Sequence, residues 1–409
     1  MHIASHNIKC INEKYMEMLS PYGLKGLIYP ISGAVQSCVS LAVNFGSFDT
    51  RIEGRSGMMT LPWGMAHFVE HYKFQNTQKN SASLFSATGA HANALTAYDR
   101  TVFFFKGHDN INDSLNILLE RILAHDDVVN MQSIKDVICE EIILYSNDPV
   151  EKGRLLLMQE LFPRHPVSVD IAGTEKLVQS VDQETVNSVL KSIYVPENMV
   201  LSMAGNVSGF EADALSADLP YINSATSRAI PKALLEIPNP PILRDKVIRL
   251  SLGMYTPGFL IGVRPRMTDL LPMAQKVLDE IFFDLIVGPA SDLQLSWLKQ
   301  GELGEELAIE VDYARDIGYT ILTGVSKRSD KIFTDIKEKI HRVGTNGIPE
   351  KAFAKSRMAV WGKYVTYLDD GFEICNFLTS SFIYNSSVED ILGFISALTF
   401  EELNACQRQ

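Results

Sequence analysis

The chain has 409 residues, with 37 Lys+Arg against 49 Asp+Glu for a formal net charge of −12, and 46% of its residues are hydrophobic. That length allows two or three domains with full apolar cores, which excludes disorder for the bulk of the chain. The negative charge opposes the counterion release that drives binding to nucleic acid and anionic lipid, so neither nucleic acid nor membrane is an expected partner.

The five cysteines, Cys10, Cys38, Cys139, Cys375 and Cys406, are scattered and form no Cys-x-x-Cys pair. This argues against a disulfide framework and against a cysteine zinc site. The opening MHIASHNIKC lacks the basic start and apolar stretch of a secretory signal. The greasiest stretches, such as 281–290, are broken by Asp, Gly or Pro before they reach membrane-spanning length. A soluble, cytoplasmic protein is expected.

In chain order, Gly26 to Ser47 reads as strand, turn, strand, followed by a loop containing Asp49, Glu53 and Gly54. Thr60-Leu61-Pro62 predicts a helix start, because proline is tolerated in the first turn, and the helix should run through about Phe74. Residues 91–106 have strand character. Residues 112–124 and 131–146 have helical spacing, the latter with Ile134, Val137, Ile138, Ile142 and Tyr145 on one face. Helices at 151–161 and 183–193 and a strand at Met199 to Ala204 complete the first half. Residues 226–241 hold four prolines and no clear period, which predicts a linker between domains at 1–225 and 242–409. Beyond it come a strand at 258–264, a helix at 268–287, a helix from near Ser291, strands around 306–324, a charged helix at 328–344 and a helix at 349–365. Sheet with long helices, written twice, predicts an α+β fold of two related halves, each an antiparallel sheet packed against long helices.

His67, Glu70 and His71 form H-x-x-E-H inside the first helix. Positions i, i+3 and i+4 project to one side of a helix, so both imidazoles can grip one metal with the carboxylate beside it. This is the inverted zinc-peptidase motif. Met65, Phe68, Val69 and Tyr72 make an apolar stripe on the same helix, with Trp63 and Phe74 at its margin, so the helix is expected to be buried on most sides. Buried histidines and a glutamate need partners, and Zn2+ would supply one. A catalytic zinc takes three protein ligands, leaving Glu140 or Glu141 as the third; Glu141 shares its face with Ile134, Val137 and Ile138. Glu70 would serve as the general base.

Five segments resemble the pitrilysin/insulinase family of zinc peptidases in its short two-domain form: GMAHFVEHYKFQNT (64–77), HANALTAYDRTVFFF (91–105), IKDVICEEIILYSNDP (134–149), HPVSVDIAGTEKLVQSV (165–181) and YVPENMVLSMAGNVS (194–208). The resemblance implies His67, His71 and Glu141 as zinc ligands, which selects Glu141 over Glu140, and Glu70 as catalytic base. It also implies Asn93, Ala94 and Thr96 on a substrate-binding edge strand that receives the peptide by strand addition.

Two positions depart from the family pattern. Ile134 stands where a supporting glutamate usually lies, seven residues before the distal ligand. In the second half, the segment 295–304 carries Trp297 and Gly304 where active monomers present an arginine and a tyrosine; Lys299 is a poor bidentate substitute, and Arg315 near Tyr313 and Tyr319 is the other candidate. The resemblance therefore implies a heterodimer, with a same-fold partner that lacks H-x-x-E-H and closes a clamshell chamber around the peptide; a homodimer is the alternative. The expected activity is zinc-dependent endopeptidase cleavage of short or unfolded peptides, with processing of a bacteriocin precursor as one such role. The competing expectation is a non-catalytic scaffold subunit. His91 stands near the substrate-strand segment, where it is expected to be structural, with lining of the cleft as the alternative; His108, His125, His165 and His341 have no partner at ligand spacing and are expected to be surface or core residues.

Overall fold

The computed structural model describes residues 2–54, 57–74, 81–124, 129–207, 210, 246–251 and 256–407. The strands are β1 (His2–Ile8), β2 (Glu13–Leu19), β3 (Lys25–Pro30), β4 (Ser37–Val43), β5 (Arg51–Gly54), β6 (Gly57–Thr60), β7 (His91–Thr96), β8 (Thr101–Gly107), β9 (Met199–Gly205), β10 (Gly258–Val263), β11 (Ala308–Ala314) and β12 (Ile317–Val325). The helices are α1 (Met65–Phe74), α2 (Ser81–Ala87), α3 (Ile111–Leu123), α4 (Met131–Asn147), α5 (Pro149–Leu161), α6 (Glu175–Ser180), α7 (Gln183–Ile193), α8 (Pro272–Val287), α9 (Asp292–Lys299), α10 (Ser329–Asn346), α11 (Glu350–Tyr367), α12 (Gly371–Tyr384), α13 (Val388–Ala397) and α14 (Phe400–Gln407).

The chain forms two compact units that are not simple N- and C-terminal pieces: one holds 1–148, 164–239 and 367–385, the other 149–163, 240–366 and 386–409. The expected linker at 226–241 lies outside the described residues. Each unit is a sheet packed against helices, the α+β layout the sequence predicts.

In the first unit the sheet runs β1-β2-β3-β9-β4-β8-β7, antiparallel except for the parallel pair β3–β9. The two strands read from Gly26 to Ser47 are therefore not a hairpin, because β9 inserts between them. β4 and β9 are buried at every position, as strands covered on both faces must be. Side chains alternate along a strand, so β4 sends Val39, Leu41 and Val43 into the core shared with α1 and α3, while Cys38 faces α12. β8 does the same: Phe103 and Phe105 pack at a tilt against Phe74 and Phe85 respectively, and Phe104 meets Phe372 of α12.

The second unit has a three-stranded antiparallel sheet, β10-β12-β11, packed against α8 and α5. Its α8 buries Val277, Leu278, Ile281 and Phe282, and Ile321 and Leu322 of β12 are buried as well. None of the described helices is long and apolar enough to cross a membrane.

The first helix begins later than the proline signal predicts. Thr60 ends β6, and Leu61 N donates to Thr50 O, so this segment is held in a strand pair and a turn. The turn closes at Gly64, whose φ of 86° suits glycine, and a Cβ there would collide with the carbonyl of Ala172. Gly173, at φ 79°, packs equally close to Trp63 O. This backbone contact fixes where α1 enters the fold. Gly64→Ala is expected to destabilise the protein by about 2–3 kcal/mol through strained φ and the clash, read as a lowered urea midpoint with unchanged slope.

Candidate metal centre

α1 lies with Met65, Phe68, Val69 and Tyr72 in the core, which turns His67, Glu70 and His71 toward α4 and β7. α4 is set by its own end: Asn130 Oδ1 accepts from the backbone N of Gln132 and of Ser133. Ile134 and Ile138 bury its inner face in the same core. Glu141 follows Ile138 by three positions and so stands on the side of α4 that meets α1.

The structure brings three of the predicted residues together. His67 Nε2 lies 3.1 Å from His71 Nε2, Glu141 Oε2 lies 3.5 Å from His67 Nε2, and it lies 3.2 Å from His71 Nε2. A tetrahedral zinc with bonds of about 2.0–2.1 Å holds its ligand atoms about 3.3 Å apart, so this donor set has the spacing and the nitrogen–oxygen chemistry that zinc requires. Among the described residues this is the group of His, Cys, Asp and Glu that could hold a metal ion. Glu140, the reserve candidate, is exposed and outside it.

Burial shapes the charges. In the metal-free chain His67 is pushed down to about 4, first by burial and then by His71 beside it, against the opposing pull of Glu141. Glu141 is held below the usual carboxylate range, chiefly by its hydrogen bond with His71. Glu70 is 9% exposed, and burial raises its affinity for a proton. Its Oε2 accepts from Thr96 Oγ1 at 2.6 Å, which works in the opposite direction. The hydroxyl of Tyr194, wholly buried, is pushed up by burial and by the Glu70 carboxylate.

β7 is an edge of the seven-stranded sheet and pairs only with β8 among the described strands. Asn93 is exposed on it, and its Oδ1 accepts from Ala94 N. Ala94 and Thr96 alternate with Asn93 and point to the opposite face, where Ala94 packs against the core. Thr96 thus reaches Glu70. The sequence places Thr96 on the strand but not on Glu70, because that contact depends on β7 running beside α1. Lys73 was also missed: it is fully buried and donates to Ala124 O at the end of α3, where unpaired helix carbonyls favour a cation.

The departures from the family pattern are structural residues here. Ile134 is part of the apolar core. Trp297 is 1% exposed, and its Nε1 donates to Asp335 Oδ2 at 2.9 Å; Lys299 is exposed. Gly304 N donates to Val325 O. Tyr313 OH donates to Asp279, Tyr319 OH bonds Glu310 and accepts from Arg154, and Arg315 sits in the β11–β12 turn at φ 53°. Of the remaining histidines, His91 and His108 are exposed and His108 pairs with Asp109. His165 is buried and accepts from Val167 N, while His125 lies outside the described residues.

A buried helix bearing H-x-x-E-H, joined by a carboxylate from a second helix beside a sheet edge, defines the site of the inverted zinc-peptidase class. Residues 32–175, which carry the motif, match the family model Insulinase (Peptidase family M16). It is 22% identical over 404 residues to the uncharacterized zinc protease YmfH of Bacillus subtilis (strain 168), covering 95% of this chain and 92% of that one. The crystal structure of an M16-like peptidase from Alicyclobacillus acidocaldarius superposes with a TM-score of 0.84 at 24% identity, over 96% of this chain and 94% of that chain. A peptidase M16 inactive domain from Pseudomonas fluorescens has the same fold, with a TM-score of 0.75 at 16% identity over 96% of this chain and 94% of that chain.

The low proton affinity of folded His67 has a consequence for the metal-free protein. Unfolded His67 binds a proton below about 6.5 and the folded residue only below about 4, so the unfolded state gains protons first and stability falls as pH is lowered across that window. Urea titrations from pH 7 to 4 should show that loss, and His67→Asn should flatten it. An equal loss in the variant would remove His67 as the cause.

Proposed function

We propose that this chain is the zinc-binding subunit of a metalloendopeptidase that hydrolyses short or unfolded peptides. The observation that carries the reading is the convergence of His67 Nε2 and His71 Nε2 of α1, the helix of buried Glu70, with Glu141 Oε2 of α4, all within 4.8 Å of one another. His67, His71 and Glu141 would hold the zinc. When bound, zinc lowers the pKa of a water and polarises a carbonyl. His67 is neutral at pH 7, as a ligand must be, and Glu141 is ionised. Glu70 holds its Oε2 on Thr96 and keeps Oε1 to take the proton of the attacking water, then returns it to the leaving amine. The raised proton affinity of Glu70 suits that exchange. The open edge of β7 supports binding of an extended peptide through its main chain, which gives broad sequence tolerance and fits leader-bearing precursors such as those of bacteriocins.

The reading includes a partner. Trp297 is committed to the core and to Asp335, and Tyr313 and Tyr319 are committed to Asp279 and Glu310, so the positions considered for substrate binding have structural roles. A site without a donor for the developing oxyanion forgoes about 10²–10³ in rate. A same-fold subunit lacking H-x-x-E-H would supply the arginine and tyrosine, and likeness to a domain described as inactive supports the use of this fold for such a role. The free cysteines fit a reducing, cytoplasmic setting. The scaffold reading draws on the same core Trp297 and on Ile134 in place of a supporting carboxylate.

Zinc analysis and cleavage of an unfolded peptide, with and without the partner, separate the two readings. Glu141→Gln should strip the metal while Glu140→Gln retains it. Glu70→Gln should keep zinc and lose at least about 10²-fold in kcat. Zinc retained by every pairing with no cleavage would leave the scaffold reading.

A further inference from the structure

Where α1 and β7 meet, Thr96 Oγ1 donates to Glu70 Oε2. The strand is shaped for it. Ala92, Ala94 and Thr96 share a face, and the two alanines pack against the core without holding the helix away. The end of the strand is anchored as well: Thr96 pairs with Thr101 across the hairpin, and buried Thr101 donates its Oγ1 to Phe45 O at 2.8 Å. Glu70 has reasons to move elsewhere. It shares its helix face with His67 and adjoins His71, the two imidazoles that Glu141 reaches from α4. A carboxylate drawn toward the imidazoles would occupy the place of the metal rather than face the substrate.

We propose that Thr96 is a positioning residue that holds Glu70 away from the His67–His71–Glu141 group and toward a peptide lying on β7. The same strand then sets both the height of the bound peptide and the place of the base, so substrate and proton acceptor share one reference. This rests on the peptidase reading given above. Valine keeps the shape of threonine and removes the donor, while serine keeps the donor.

Two measurements test it on the zinc-loaded chain, paired with its partner where turnover requires one. In peptide cleavage, Thr96→Val should lower kcat on the order of 10-fold with KM, zinc content and melting temperature unchanged, and Thr96→Ser should restore most of the loss. In binding, a peptide hydroxamate, whose hydroxyl donates to a base beside the metal, should bind on the order of 10-fold more weakly to Thr96→Val, and the same substitution should have no effect in a Glu70→Gln background. Unchanged kcat and hydroxamate affinity in Thr96→Val would overturn the inference while leaving the peptidase reading intact. A raised KM or lost zinc would make Thr96 a binding or structural residue and overturn it too. If wild type binds the hydroxamate with the predicted Thr96 dependence yet cleaves nothing in any pairing, the peptidase reading fails and the positioning role stands.

Discussion

The structure turns on the burial of one helix that carries two histidines, a glutamate and a lysine. α1 sits against the central sheet with Glu70, His71 and Lys73 each less than a tenth exposed, and His67 only slightly more open. Burying such groups without partners costs several kcal/mol, so each one dictates a neighbour. Lys73 takes the end of α3, Glu70 takes Thr96 of β7, and the two imidazoles take Glu141 of α4. Those demands define the surroundings of the helix: a helix end on one side, an edge strand on another, and a second helix with an acidic residue on the third.

Much of this was legible in the sequence because it is local. The i, i+3, i+4 spacing of His67, Glu70 and His71 places them on one side of any helix that forms there. The same periodicity in 131–147 puts Glu141, and not Glu140, on the face of Ile134 and Ile138, which the core then turns toward α1. The edge position of β7 was legible only by resemblance. What the sequence hides is what depends on distant pairing. β9 enters between β3 and β4 from about 170 residues away, and α12 covers the back of the sheet from still further along the chain. The hairpin of β1 and β2 is hidden in the sequence because its strands show little apolar alternation, with Ile8, Tyr15 and Met18 as their buried apolar residues. The proline signal at Pro62 misled for a local reason, since Thr60 belongs to a strand pair and Gly64 makes the turn that starts the helix.

The same contrast separates the two units. In the first, His67, His71 and Glu141 are grouped around one point, with Glu70 buried on the same helix as the two histidines. In the second, the aromatic and charged residues of the expected substrate-binding region are spent on packing: Trp297 on Asp335, Tyr313 on Asp279, Tyr319 on Glu310 and Arg154. A chain with a metal-ready donor set in one unit and structural residues in the other is consistent with chemistry divided between two subunits.

The central claim is that His67, His71 and Glu141 hold one catalytic zinc. X-ray absorption at the zinc edge of the purified chain tests it most directly. The account predicts one zinc per chain with a four-coordinate shell of nitrogen and oxygen at about 2.0–2.1 Å, including the scattering of two imidazoles, and loss of that shell in Glu141→Gln. A chain that binds no zinc, or zinc in a shell without imidazole that survives the substitution, would contradict it.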